Sequence, residues 1–388
     1  MEPKLRFKEF SGDWEEKKGK YLFEILGGGA FKSTDNTKKG IKLLKIVNIG
    51  FGSIKSEEIS YLPIEFLESY SKYLLYKGDI VLALTRPILN LKLKIAFIDE
   101  NFNKSLLNQR VGKIINKKVI YNKFLYYILQ LENNIKYLEN RIAGTDPPNL
   151  SNKDLLDRIY NIPSLSEQTK IADFLSTVDE KIQNQQDKIT HLENIKKGFM
   201  QQIFSRKIRF KDANGNEFPE WEEKKLGEIS KVTTGNSNVD DNIVNGKYRF
   251  FDRGLDSINY LNEYFLDAEA IIYPGEGSKF MPRYYNGKFA LHQRCYAIYD
   301  MSHSINVKYV FYYMQTLNKY FLRTSVGTTV PSLRQSNFEK CKIEVPCLEE
   351  QQKIADLLSS FDEKVDAEKE TLEHLKELKK GLLQQMFV

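Results

Sequence analysis

The heptapeptide Glu167-Gln168-Thr169-Lys170-Ile171-Ala172-Asp173 returns as Glu350-Gln351-Gln352-Lys353-Ile354-Ala355-Asp356, with one exchange in seven, at an offset of 183 (350 − 167). The match widens in both directions without a gap. Upstream it takes in Gly144-Thr145 against Gly327-Thr328, Pro148 against Pro331 and Pro163 against Pro346. Downstream it takes in Asp179-Glu180-Lys181 against Asp362-Glu363-Lys364, Lys196-Lys197-Gly198 against Lys379-Lys380-Gly381, Gln201-Gln202 against Gln384-Gln385, and Phe204 against Phe387. About 25 of about 61 positions are identical, which over an ungapped span marks an internal duplication.

Both copies carry apolar residues at near-heptad spacing, which predicts two long helices. The first seam is Ile171, Leu175, Val178, Ile182, Ile189, Leu192, Ile195, Phe199 and Ile203; the second is Ile354, Leu358, Phe361, Val365, Leu372, Leu375, Leu378, Leu382 and Met386. A polar residue interrupts each seam once, Gln185 in the first and Glu368 in the second, at matching positions near each midpoint. In a fully overlapping antiparallel pair these two would meet and fix the register at some cost in stability. Parallel pairing would align them too, and pairing between two chains is equally open. The antiparallel form is expected because it relates the two halves by a pseudo-twofold axis.

The globular parts repeat more loosely. Arg6-Phe7-Lys8 and Trp14-Glu15-Glu16-Lys17-Lys18 open the first, and Arg209-Phe210-Lys211 and Trp221-Glu222-Glu223-Lys224-Lys225 open the second. Strand-like runs follow at 43–47 and 80–84, answered at 270–273. Asn108-Gln109-Arg110 then echoes His292-Gln293-Arg294, and the helical pattern at 123–130 echoes 308–315. The expected fold is α+β: two similar mixed α/β domains at 1–163 and 205–346, each followed by one long helix, at 164–204 and 347–388, the helices forming an antiparallel coiled coil.

Composition narrows the classes. The chain has 388 residues, 41% hydrophobic and 28% charged, enough for two domains. No stretch is apolar enough for a membrane span, and the first residues are charged from Glu2 onward without a signal-peptide core, so a cytoplasmic protein is expected. Cys295, Cys341 and Cys347 offer neither a disulfide framework nor a zinc spacing. The stretches 167–204 and 350–387 hold five lysines against six acids and six against nine, a sum of −4; with a chain total of +6, the remainder carries +10. A basic excess concentrated on the globular parts points toward nucleic acid.

No catalytic constellation emerges. Asp146-Pro147-Pro148-Asn149 is similar to the Asp-Pro-Pro-aromatic motif of amino-methyltransferases, but Asn149 replaces the stacking aromatic and the repeat partner is Thr329-Val330-Pro331-Ser332, so the segment reads as a turn. Gly27-Gly28-Gly29 lacks nucleotide-loop spacing and also reads as a tight turn. The Asp-Glu-Lys triplets at 179 and 362 read as solvated helix faces. Four histidines are too scattered for a metal site.

The doubled pattern of Gly-Thr, Pro, Ile162-Pro163 or Val345-Pro346, and Glu-Gln-x-Lys-Ile-Ala-Asp leading into a heptad helix resembles the specificity subunit of type I restriction-modification enzymes over nearly the whole chain. One departure is Cys347, which stands where Ser164 can cap its helix with Glu167. The resemblance implies a non-catalytic reader of double-stranded DNA. Each domain would recognise half of a split target, with helices of about 38 residues, about 57 Å long, spanning more than a DNA turn of about 34 Å. Its implied partners are two modification (methylase) subunits and a restriction subunit. S-adenosylmethionine and ATP would be bound by those partners, with no cofactor in this chain. Rival readings are a stand-alone DNA-binding or scaffold protein, which would not co-elute with a methylase pair, and an unrecognised methyltransferase or nuclease, which would act alone.

Base reading needs Arg, Lys, Asn or Gln presented from loops. The candidates are Arg86, Asn90, Lys92 and Lys94 in the first half and Lys279 and Arg283 in the second. Arg110, Gln293, Arg294, Arg249 and Arg253 form a further tier. If Arg86 contacts a base, Arg86→Ala weakens binding to the cognate half-site by about 1–3 kcal/mol in a titration of labelled duplex; unchanged affinity and target preference remove Arg86 from the set.

Overall fold

The computed structural model describes residues 2–144, 146–255, 257–327 and 329–388. Thr145 and Thr328, half of each Gly-Thr doublet, lie outside them. Two compact units emerge: unit 1 joins Met1–Asn184 to Leu372–Val388, and unit 2 runs from Gln185 to Thr371. The chain's two long helices, Leu165–Phe204 and Leu348–Gln385, are each divided near the middle by this partition. Each unit therefore holds the first half of one long helix packed on the second half of the other.

The packing is antiparallel, as expected, and each unit states it separately. In unit 1 Lys379 Nζ lies 2.6 Å from Asp179. In unit 2 the repeat partners meet, Lys196 Nζ lying 2.5 Å from Asp362. A tyrosine from the domain completes each clasp: Tyr127 OH donates to Asp179 and Tyr312 OH to Asp362, both at 2.7 Å, and each lysine also lies over its tyrosine ring. Asp179 and Asp362 are thus not on a solvated face, as the sequence pattern suggested; a partner helix and a domain tyrosine claim them. Gln185 and Glu368 meet as expected, with Gln185 Nε2 2.5 Å from Glu368 Oε2 and 2.9 Å from its carbonyl, and Lys188 joins the layer.

Ile171, Leu175, Val178, Ile189, Ile354, Leu358, Val365 and Leu372 are buried, while Ile182, Leu192, Phe361 and Leu375 are half-buried. Phe361 packs on Phe199 with ring centroids 5.6 Å apart. Leu378 departs from the expected seam: it is 53% exposed.

The Glu-Gln signature at each helix start has a double mechanical role. Glu167, 2% exposed, takes two hydrogen bonds from Arg6 at 2.8 and 2.9 Å. Glu350, 0% exposed, takes them from Arg209 at 3.3 and 2.9 Å and a third from Trp221 Nε1 at 3.1 Å. The next residue ties the helix to the domain. Gln168 donates to the Pro163 carbonyl and accepts from Tyr121 N–H, and Gln351 donates to Pro346 and accepts from Asn306 N–H. The first helix is also capped by Ser164 Oγ, which accepts from Glu167 N–H at 3.3 Å. Where Cys347 removes that cap, the helix still starts at Leu348 because Glu350 is held from outside.

In each unit an antiparallel strand pair closes the domain on the helix, Glu15–Lys18 with Ile159–Ile162 and Glu222–Lys225 with Lys342–Val345. The main sheets follow one plan with one difference. Unit 2 has a single six-stranded sheet in the order 231–234, 295–299, 266–274, 283–291, 248–251, 259–261. In unit 1 the same plan is cut into two four-stranded sheets, 23–27, 111–116, 80–83, 95–97 and 60–62, 41–44, 105–107, 74–75. The strand expected at 43–47 stops at Leu44, where a 3₁₀ turn at Ile46–Asn48 takes over. The helices expected at 123–130 and 308–315 are Asn122–Leu129 and Val307–Gln315, each packing its aromatic face into its unit's core.

The N-terminal segment completes unit 1 in a telling way. Leu5 N–H donates to the Gln385 carbonyl at 2.9 Å, while in unit 2 Ile208 N–H donates to the repeat partner Gln202 at 3.2 Å. Phe387 likewise packs on Trp14 and Phe124, as Phe204 packs on Tyr309 and Tyr309 on Trp221. Because a buried charge stripped of its partner is costly, Glu350→Gln should lower stability by about 3 kcal/mol in urea unfolding, and Glu220→Gln, an exposed partner of Arg209, by well under 1 kcal/mol. Equal, small losses would show that the buried pair does not hold the second helix start.

Candidate nucleic-acid interface

In each unit the strand at the sheet centre ends in a turn, and the two turns are wired alike. In unit 1, after Ile80–Ala83, Leu84 N–H donates to the Arg110 carbonyl at 3.0 Å, Leu150 N–H to the Leu84 carbonyl at 2.8 Å and Arg86 N–H to the Pro148 carbonyl at 2.7 Å. In unit 2, after Leu266–Pro274, Gly275 N–H donates to Arg294 at 2.8 Å, Leu333 N–H to Gly275 at 2.7 Å and Gly277 N–H to Pro331 at 3.0 Å. Bridges Thr85 to Asn149 and Glu276 to Ser332 complete the match. The segment Asp146–Asn149 is therefore a backbone strap for the turn. Asn149 serves it locally: its side chain accepts from Thr85 Oγ1 at 2.7 Å and donates to the Pro147 carbonyl.

The side chains on these turns differ in sign. Arg86, at φ +47°, is exposed. Beyond it a two-residue hairpin pairs Ile88–Leu89 with Lys92–Leu93, and Asn90 and Leu91 supply the two positive φ angles, 50° and 55°, that a primed turn needs. Asn90 and Lys92 are exposed and Lys94 is half-buried. Arg110 is exposed at the neighbouring loop. Among the described residues, none of Arg86, Lys92, Lys94 and Arg110 makes an ion pair, so these candidates form a loop cluster of uncompensated positive charge.

Unit 2 spends its cations internally. Glu276, on the turn, is flanked by Arg294 and by Arg253, the latter at 3.1 Å. Arg283 donates to the carbonyls of Gly254 and Asp252 at 2.7 and 2.6 Å and lies over the Phe251 ring; its role is to brace the backbone at 252–254. Arg249 donates to the Ser257 carbonyl at 2.6 Å and stacks between Phe251 and Tyr260. Gln293 bonds Asn238, and Lys279 is exposed on the turn without an ion pair among the described residues. His292 is buried beneath. Burial pushes its imidazole below the usual range, and the neutral ring accepts Arg294 N–H at Nδ1 at 2.9 Å.

Glycines permit this close layering. A Cβ on Gly28 would stand 2.2 Å from the Asn108 carbonyl oxygen, and one on Gly235 1.8 Å from that of Leu291. The Gly27-Gly28-Gly29 run is thus a backbone contact between strand and loop. Among the described residues no cluster of His, Cys, Asp and Glu could hold a metal ion, and no helix is long and apolar enough to cross a membrane. Sequence reasoning missed Glu276, and the signal that could have found it was faint: an acid between two glycines just after the strand-like run at 270–273.

Comparison with known proteins agrees with this duplication. The type I restriction modification DNA specificity domain matches residues 11–194 and again 219–377. The MjaVIII specificity subunit of Methanocaldococcus jannaschii is 38% identical over 207 residues, 53% of this chain and about half, 49%, of that protein's length. The putative MjaX specificity subunit of the same organism is 24% identical over 407 residues, 98% of this chain and 94% of its own. In fold, the S subunit of a type I restriction-modification system from M. genitalium is similar with a TM-score of 0.64 at 19% identity, covering 100% of this chain and 99% of that one. With both halves matched and most of its length accounted for, the chain belongs to the type I restriction-modification DNA specificity family.

Proposed function

We propose that this chain is the non-catalytic, sequence-specific DNA-recognition subunit of a type I restriction-modification complex, each unit reading one half of a split target. The observation that carries this reading is the doubling itself: two specificity domains in one chain, presenting equivalent turns with unlike side chains. Two equal readers would need equal turns; Thr85-Arg86 and Glu276-Gly277 are chemically opposed. Phosphate contacts would come from exposed cations such as Lys92, Arg110 and Lys279, which position the duplex without selecting its sequence. Methyl transfer from S-adenosylmethionine belongs in this reading to two modification subunits. ATP-driven translocation and cleavage belong to a restriction subunit, all in the cytoplasm where the DNA lies.

Expression of the chain with its modification subunits, followed by mapping of methylated adenines across the host genome, tests the proposal. The expected result is a split motif with a fixed spacer, lost when this chain is omitted. Methylation at a single contiguous motif, or an unchanged methylation pattern without this chain, overturns it.

A further inference from the structure

In unit 2 the turn equivalent to Thr85-Arg86 carries an acid. Glu276 occupies the position of Thr85: both follow a residue bonded to the Arg294 or Arg110 loop, and both precede one bonded to Pro331 or Pro148. On a surface that met DNA phosphates a carboxylate would be repelled, so its presence on this turn calls for a reason. Two arginines hold it: Arg253 reaches one oxygen at 3.1 Å and Arg294 the other. Its side chain is only 18% exposed, so its direction is set before any ligand arrives. A carboxylate has about four acceptor positions, and this pairing fills about half of them. The pair also cancels the repulsion, since two cations outweigh one anion.

We propose, on the reading that each unit recognises half of a DNA target, that these equivalent turns are the base-selecting positions. Arg86 donates to guanine in the half-site of unit 1, and Glu276 accepts from the exocyclic amino group of cytosine in the half-site of unit 2. The chemistry follows the groove edges: guanine presents two acceptors that suit a guanidinium, and cytosine presents an N4 donor that suits a carboxylate. Arg294 and Arg253 are positioning residues for Glu276, with their remaining N–H groups directed to phosphate. Thr85, bound to Asn149, leaves unit 1 without an acid at this position, so the two half-sites differ in kind.

The test uses the full chain in complex with its modification subunits, selecting bound duplexes from a randomised pool. Wild type is expected to specify at least one cytosine in the second half-site and one guanine in the first. Glu276→Gln should shift that cytosine toward adenine, whose N6 and N7 suit an amide, and weaken the original target about 10- to 100-fold with the first half-site unchanged. Unfolding temperature serves as the control, because the turn's framework bonds are backbone bonds. Thr85→Glu combined with Arg86→Gly transplants the acid to the first turn and should exchange a guanine for a cytosine in the first half-site. A second half-site unaltered by Glu276→Gln, or a transplant that leaves the first half-site's guanine in place, overturns the assignment. A wild-type complex with no sequence preference instead overturns the reading on which it rests.

Discussion

The clasp of tyrosine, aspartate and lysine across the long helices is the constraint on which the rest depends. A heptad seam alone is permissive: aliphatic residues slide by a turn at modest cost, and Gln185 opposite Glu368 marks only the middle. Asp179 with Lys379 and Asp362 with Lys196 set the register in each unit independently, and each aspartate also takes a hydroxyl from its domain. One side chain therefore fixes both long helix against long helix and long helix against domain helix. The pair is only partly exposed, so it is screened less than a surface ion pair.

The helix starts follow the same economy. Glu167 and Glu350 lie where a helix N-terminus already favours negative charge, and an arginine from the domain's opening segment reaches each one. The neighbouring glutamine satisfies a backbone group at the domain helix that would otherwise be left open. A motif that looks like a helix signature is thus a joint between helix, domain opening and domain helix.

Much of this was legible in the residues. Heptad spacing, the offset of 183 and the doubled openings led to two mixed domains and an antiparallel pair, because apolar periodicity is a local property. What sequence hid was long-range. A fixed offset pairs Arg86 with Glu269, which lies within a strand and bonds Tyr284; backbone wiring pairs it with Gly277, because unit 2 lengthens its central strands. Arg249 and Arg283 looked like free cations, and only the fold shows that the carbonyls of Ser257, Gly254 and Asp252 hold them. Leu378 fits the heptad but faces solvent, since real helices drift from a strict 3.5-residue repeat.

The bond from Leu5 to Gln385 has a bearing on biogenesis. Unit 2 is one uninterrupted stretch of polypeptide and has all its parts once residue 371 has left the ribosome. Unit 1 does not: it lacks Lys379, Phe387 and the Gln385 carbonyl until the whole of unit 2 has been made. The part translated first is the part finished last, and the hydrophobic flank around Trp14 and Phe124 stays uncovered through the synthesis of everything between.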